Sequence, residues 1–139
     1  MPRYFTHYWA NKESESHLDG EPIDFIWGSQ FSKRKLSGGD VVFGVTVEKG
    51  NLNVLVRLVI SEVVHKPFSI GQERAYAEPG GFVKRVEIPR AVTRQLEFVD
   101  SSGRRSGLKW KSNSKLDQQT LRAFRELTSS SAALIEDYC

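Results

Sequence analysis

Three tryptophans stand beside hydrogen-bonding or basic side chains. Trp9 precedes Asn11 and Lys12, Trp27 precedes Ser29 and Gln30, and Trp110 lies between Lys109 and Lys111. An indole offers a flat π face, and an Asn, Gln or Ser side chain can read the edge of a heterocycle. Stacking a nucleobase on such a ring contributes about 1–3 kcal/mol. The same residues have a plainer reading, because tryptophans also fill cores. Trp110 alternates with Leu108 on an apolar face and reads as core, while Trp9 and Trp27 stand open between core and pocket wall.

Other chemistries find less support. His7, His17 and His65 fall in three separate segments, and none has the HExxH spacing of a zinc site. The chain has no GxSxG elbow, and Gly38-Gly39-Asp40 lacks the GKS/T ending of a phosphate loop. A hydrolytic triad is defined in space, so scattered Ser, His and acidic residues leave that question to the fold. Lys12 and His7 are the only residues that suggest themselves as catalytic groups. The single cysteine, Cys139, allows neither an internal disulfide nor a cysteine metal site. Neither a catalytic set, a metal nor a cofactor is expected.

The charge is uneven. The net charge is +3, but residues 84 to 125 hold eleven Lys and Arg against four acids, an excess of +7. Residues 10 to 24 carry Glu13, Glu15, Asp19, Glu21 and Asp24 against Lys12 alone. A local basic excess suits a polyanion such as nucleic acid, and it equally suits a solvated surface. No apolar run approaches the roughly 20 residues of a membrane span. Met-Pro-Arg-Tyr lacks the apolar core of a signal peptide. A cytoplasmic protein with no membrane partner is expected.

The elements that must position these residues are mostly strands. Residues 3 to 9 alternate Tyr4/Thr6/Tyr8 with Phe5/His7/Trp9, a period of two. Residues 11 to 24 read as a polar loop, and 24 to 31 as an ordered loop or short helical turn. Val41–Val47 and Leu52–Val64, joined by Lys49-Gly50-Asn51, predict a hairpin. Gly44 within it marks a bulge or a close approach. A short helix is expected near Ile70 to Tyr76, a strand over 82 to 88, and a short helix after Pro89. Short strands are expected at 96 to 99 and 108 to 110, around a flexible loop. Asp117 should cap a helix over 118 to 127, with Leu121, Phe124 and Leu127 on one face. Ser129 or Ser130 should cap a last helix. With no long helix between consecutive strands, the 139 residues read as one α+β domain: a small, mostly antiparallel β-barrel with flanking short helices.

Tyr8-Trp9-Ala10-Asn11-Lys12-Glu13-Ser14 resembles the opening strand of EVE domains, a Tyr-Trp pair with Lys, Ser and Glu soon after. Trp27-Gly28-Ser29-Gln30-Phe31 stands where those domains have a Trp-containing pocket segment. Gly39-Asp40-Val41-Val42-Phe43 resembles their Gly-Asp turn and apolar strand, and Glu62-Val63-Val64 resembles the end of their next strand. The resemblance covers residues 4 to 64. EVE domains belong to the PUA-like superfamily with YTH and ASCH domains, so it implies a small β-barrel that binds DNA or RNA and holds a modified base flipped into an aromatic pocket. By position it makes Trp9 and Trp27 pocket walls and Asn11, Ser29 and Gln30 edge readers. Lys12, Lys33, Arg34, Lys109 and Lys111 become phosphate contacts. Two departures stand out: Ser29-Gln30 replaces the frequent Arg-Asn, and an acidic segment is an odd neighbour for a nucleic-acid groove. A methyl group adds about 0.8 kcal/mol of burial, so a cage alone prefers a methylated base about fourfold. Two other readings remain: an ASCH-like enzyme acting on a modified nucleoside, and a protein-interaction adaptor using an apolar patch on the final helices.

Overall fold

The computed structural model describes residues 2–65 and 72–139. Its strands are β1 (Tyr4–Tyr8), β2 (Phe25–Gly28), β3 (Val41–Glu48), β4 (Asn51–Val64), β5 (Glu73–Ala77), β6 (Val86–Ile88), β7 (Phe98–Val99), β8 (Arg105–Ser106) and β9 (Arg125–Leu127). They form one mixed sheet in the order β2-β5-β4-β3-β1-β9-β7-β8, with β6 paired to β4. Helices α1 (Asn11–Glu15), α2 (Arg90–Thr93) and α3 (Ser129–Glu136) are short, and a 3-10 turn spans Gln118–Leu121. Among the described residues, no helix is long and apolar enough to cross a membrane.

The α+β class holds, but the expected closed barrel does not form. The sheet ends on β2 at one edge and on the two-residue β8 at the other, and these do not pair. Closure needs strands that meet with a consistent stagger around the whole ring. The pairing is mostly antiparallel, as expected; the exception is β1, which lies parallel to β3 with Phe5 opposite Val42 and His7 opposite Gly44.

Alternation along the central strands builds a core on each face of the sheet. Val41, Phe43, Val45 and Val47 pack with Leu52, Val54, Ile88, Leu121 and Ile135. Phe5, Trp9, Val42, Val56, Leu58, Phe31 and Phe124 fill the other face. The hairpin of β3 and β4 forms as the β-branched runs dictate, and its register shifts between Gly44 and Val45 as the glycine foretold. A Cβ on Gly44 would lie 2.8 Å from Val56 Cγ1, too close without a shift of that side chain, and in ordinary contact with the Trp9 ring at 3.5 Å.

Several local expectations fail for identifiable reasons. The acidic segment contains α1, a single turn too short to show periodicity. Residues 25–28 form β2 because Ile26 faces the core while Phe25 and Trp27 face out. The helix expected near 70 to 76 is instead β5 where it is described; Ile70 and Gly71 lie outside the described residues. Of the strand expected over 82 to 88, only Val86–Ile88 forms, while Phe82 bridges to Pro22. The loop between 100 and 107 holds β8, and of 108 to 110 only Trp110 makes a bridge, to Leu116. Asp117 does cap, its side chain accepting from the Gln119 N–H, but the helix stops after one 3-10 turn. Leu121 and Leu127 enter one core and Phe124 the other, so the three share no face.

Thr128, not Ser129 or Ser130, caps α3, its Oγ1 accepting from the Ser131 N–H at 3.2 Å. Thr128→Ala should cost about 1 kcal/mol of stability, read in urea melts.

Candidate functional site

The period of two in β1 decides what faces the site. Tyr4 and Tyr8 pack on one core, while Phe5 and Trp9 belong to the other. His7 shares the face of Phe5 and Trp9. Its ring lies 5.8 Å from Phe31 and 6.2 Å from Phe124, centroid to centroid. The imidazole makes no hydrogen bond with other described residues. Burial pushes its pKa down to about 4, so it is neutral at physiological pH.

That shift has a consequence for stability. An unfolded His titrates near 6.5, so between about pH 6.5 and 4 the unfolded chain binds a proton that the folded chain refuses. The folded state is unpenalised above this window and loses on the order of 3 kcal/mol as pH falls through it. His7→Phe should flatten that limb of the stability–pH curve, as followed by urea melts from pH 7.5 to 4.

A cavity of about 280 Å³ opens beside His7 and Trp9. One side is Trp9, 3% exposed, whose ring centroid lies 5.0 Å from that of His17. The other is β2, with Phe25 and Trp27 at 6.0 Å from each other and Trp27 52% exposed. The remaining wall is the acidic segment, which contributes Glu13, His17, Glu21 and Asp24. His17 Nδ1 and the Glu21 carboxylate are hydrogen-bonded. Glu13 and Asp24 have side chains with no hydrogen bond or ion pair to other described residues.

His7 also lines a second cavity of about 140 Å³, together with Tyr8, Ser29, Gln30, Arg122 and Phe124. Gly28 permits this arrangement, since a Cβ there would stand 3.0 Å from the Phe31 ring. The chain then turns through Lys33, Arg34 and Lys35, which line a third cavity with Arg3. Arg3 is committed, gripping Glu126 through two nitrogens and donating to the Arg34 and Lys35 carbonyls. Arg34 forms no ion pair among the described residues, and its buried Nε has no hydrogen-bond partner. Burial, and then the charge of Arg34, hold the Arg125 guanidinium below its ordinary pKa. Asp100 and Glu126 also line this third cavity, but Glu126 is taken by Arg3, and Lys33, Arg34 and Lys35 form no ion pair among the described residues.

The expected site residues are therefore divided. Trp9 and Trp27 do line one cavity, whereas Ser29 and Gln30 line its neighbour, joined to it through His7. Asn11 faces neither: its Oδ1 accepts from the Thr46 hydroxyl at 3.0 Å and ties α1 to β3. Lys33 and Arg34 stand at the third cavity, and Lys12 is exposed on α1 outside the aromatic one. Lys109 and Lys111 line none of the three, held instead near the Trp110–Leu116 bridge. Trp110 is half-buried on the far core, with the Arg94 guanidinium 4.1 Å from its ring centroid. The acidic segment does not lie on a remote face but forms a wall of the aromatic cavity.

Ser32, His65 and Glu73 form the cluster most like a hydrolytic triad. The Ser32 hydroxyl lies 2.7 Å from His65 Nδ1, and the same nitrogen lies 2.6 Å from Glu73 Oε2. A relay needs one imidazole nitrogen toward the serine and the other toward the acid. Here one nitrogen faces both, and the Ser32 hydroxyl donates to Glu73 directly. Burial pushes the Glu73 carboxyl up, but hydrogen bonds from Ser32 and His65 outweigh it and hold the carboxyl below its usual range. The cluster ties a turn to β5 and activates no nucleophile.

No protein-family model, no curated protein and no solved structure matches this chain. The site rests on its own geometry. Sequence reasoning did not single out Glu13, His17, Glu21, Asp24, Phe25 or Arg122 as site residues. The His17/Glu21 spacing of four was the available signal for a structured acidic wall.

Proposed function

We propose that this chain is a nucleic-acid-binding module that holds a flipped, modified base in the cavity between Trp9 and Trp27. The observation that carries the reading is that an aromatic cavity lies next to unneutralised basic residues. His7 joins the aromatic cavity to one holding Ser29, Gln30 and Arg122, and the chain continues into Lys33 and Arg34. At about 280 Å³ the cavity approaches the roughly 300 Å³ at which small-ligand clefts begin. Extruding a base costs a few kcal/mol, least when it is already unpaired. Stacking on the exposed Trp27 ring and an edge contact to the unpartnered His7 imidazole offset that cost. The likeness of residues 4 to 64 to EVE domains, and so to the PUA-like superfamily, is a second support.

Tryptophan fluorescence titrated with single-stranded DNA and RNA oligonucleotides, with and without a modified base, tests the reading. Salt-sensitive quenching is expected. A flat signal with every oligonucleotide would sink it.

The phosphate role is tested separately. Arg34→Ala should weaken binding to all sequences alike and reduce the slope of log K against log salt by about one. An unchanged slope would remove Arg34 from the interface.

A further inference from the structure

The walls of the aromatic cavity carry three acids; the bases nearby are His17, hydrogen-bonded to Glu21, and Arg74, whose guanidinium lies 4.7 Å from the Phe25 ring centroid. Glu13, Glu21 and Asp24 line it, and among the described residues no lysine or arginine does. Glu21 is engaged by His17, whereas Glu13 and Asp24 have no partner among the described residues. His7, which also faces the space, is held neutral and makes only ring contacts among the described residues. Glu13 and Asp24 are exposed at the rim beside the aromatic rings, so they act across solvent and bias the cavity toward positive charge.

From this, and resting on the base-binding reading above, we propose that the cavity selects a heterocycle bearing a positive charge, namely an N-alkylated, cationic nucleobase such as 7-methylguanine. A cation against the exposed face of Trp27 gains cation–π attraction that a neutral base lacks, with the buried Trp9 closing the floor. The two unpartnered carboxylates add to it, and they accept from any N–H on the base edge. A neutral methylated base gains stacking and burial only. A phosphate or carboxylate ligand is repelled from this cavity. The phosphates belong instead beside Arg122, Lys33 and Arg34, on the other side of His7. That adjacent basic side is why a nucleotide, rather than a methylated ammonium on a peptide, is the occupant the charges favour.

The experiment is a fluorescence titration of the full chain at fixed salt. The probes are guanosine, 7-methylguanosine, 5-methylcytidine, N6-methyladenosine and a trimethyllysine peptide. Each base is offered both as a free nucleoside and as one position of a short RNA. The alkylated cationic base should bind about tenfold more tightly than guanosine. Glu13→Gln combined with Asp24→Asn, both at exposed positions, should bring that ratio close to one while leaving the melting temperature unchanged. Three results would overturn the inference: a neutral methylated base binding as tightly, a ratio indifferent to the double substitution, or the peptide binding best. If neutral bases bind and the cation gains nothing, the base-binding reading survives without this selectivity. If no nucleoside and no RNA binds, both fall.

Discussion

A chain lacking residues 117–139 is expected to be unfolded, with no cooperative thermal transition by far-ultraviolet circular dichroism. The segment looks peripheral in sequence, yet it completes the sheet. β9 lies between β1 and β7, pairing Phe5 with Glu126 and Phe98 with Leu127. Leu121, Phe124, Leu127, Ala132 and Ile135 are all buried. Burying a large apolar side chain contributes about 1.5–3 kcal/mol. Four of that size, with the lost ladder bonds, are comparable to the roughly 5–15 kcal/mol that holds a whole domain together. Arg3 would also lose Glu126, which it grips at 2.8 Å. The result bears on function as well as stability. An adaptor docking through these helices needs an apolar patch facing out; Ala132 and Ile135 face in, while Ala133 and Tyr138 stay exposed. A truncated chain that melts cooperatively and keeps its sheet would return the adaptor reading to consideration.

The legible parts of the fold were those governed by short-range alternation. β1, β3 and β4 follow directly from their period-two patterns, and the bulge at Gly44 follows from a glycine inside a strand. The illegible parts depend on partners distant in sequence. Leu121, Phe124 and Leu127 fit a helical spacing equally well as a turn leading into an extended strand. β1 and β7, which flank that strand, decide between them. The same holds for the site. Aromatic type and position marked Trp9 and Trp27, but nothing local says that Asn11 turns to Thr46 or that Glu13 and Asp24 line the same cavity as the indoles. An acidic stretch reads as solvated surface until the fold lays it against a cavity. Whether the sheet closes was also illegible, since closure depends on the two edge strands meeting.

The two pocket tryptophans should part company under substitution. Trp9 is 3% exposed, packs in the core with Phe5 and Val56, and its ring packs against Gly44. Trp9→Ala should therefore cost about 3–5 kcal/mol of stability, the range for truncating a buried aromatic ring. Binding would be lost along with the fold, so that variant alone cannot separate a wall of the site from a piece of the core. Trp27 is 52% exposed on the edge strand β2, and its nearest aromatic neighbour is Phe25 at 6.0 Å. Trp27→Ala should shift stability by no more than about 0.5 kcal/mol, as surface substitutions do. It should nevertheless weaken oligonucleotide binding by about 1–3 kcal/mol, the contribution of one stacked base. Urea melts and fluorescence-anisotropy titrations on the same two variants read both quantities. A Trp27→Ala chain that binds every oligonucleotide as the parent does would show that its exposed ring is not the wall of a base pocket. The cavity beside Trp9 would then be a feature of packing alone.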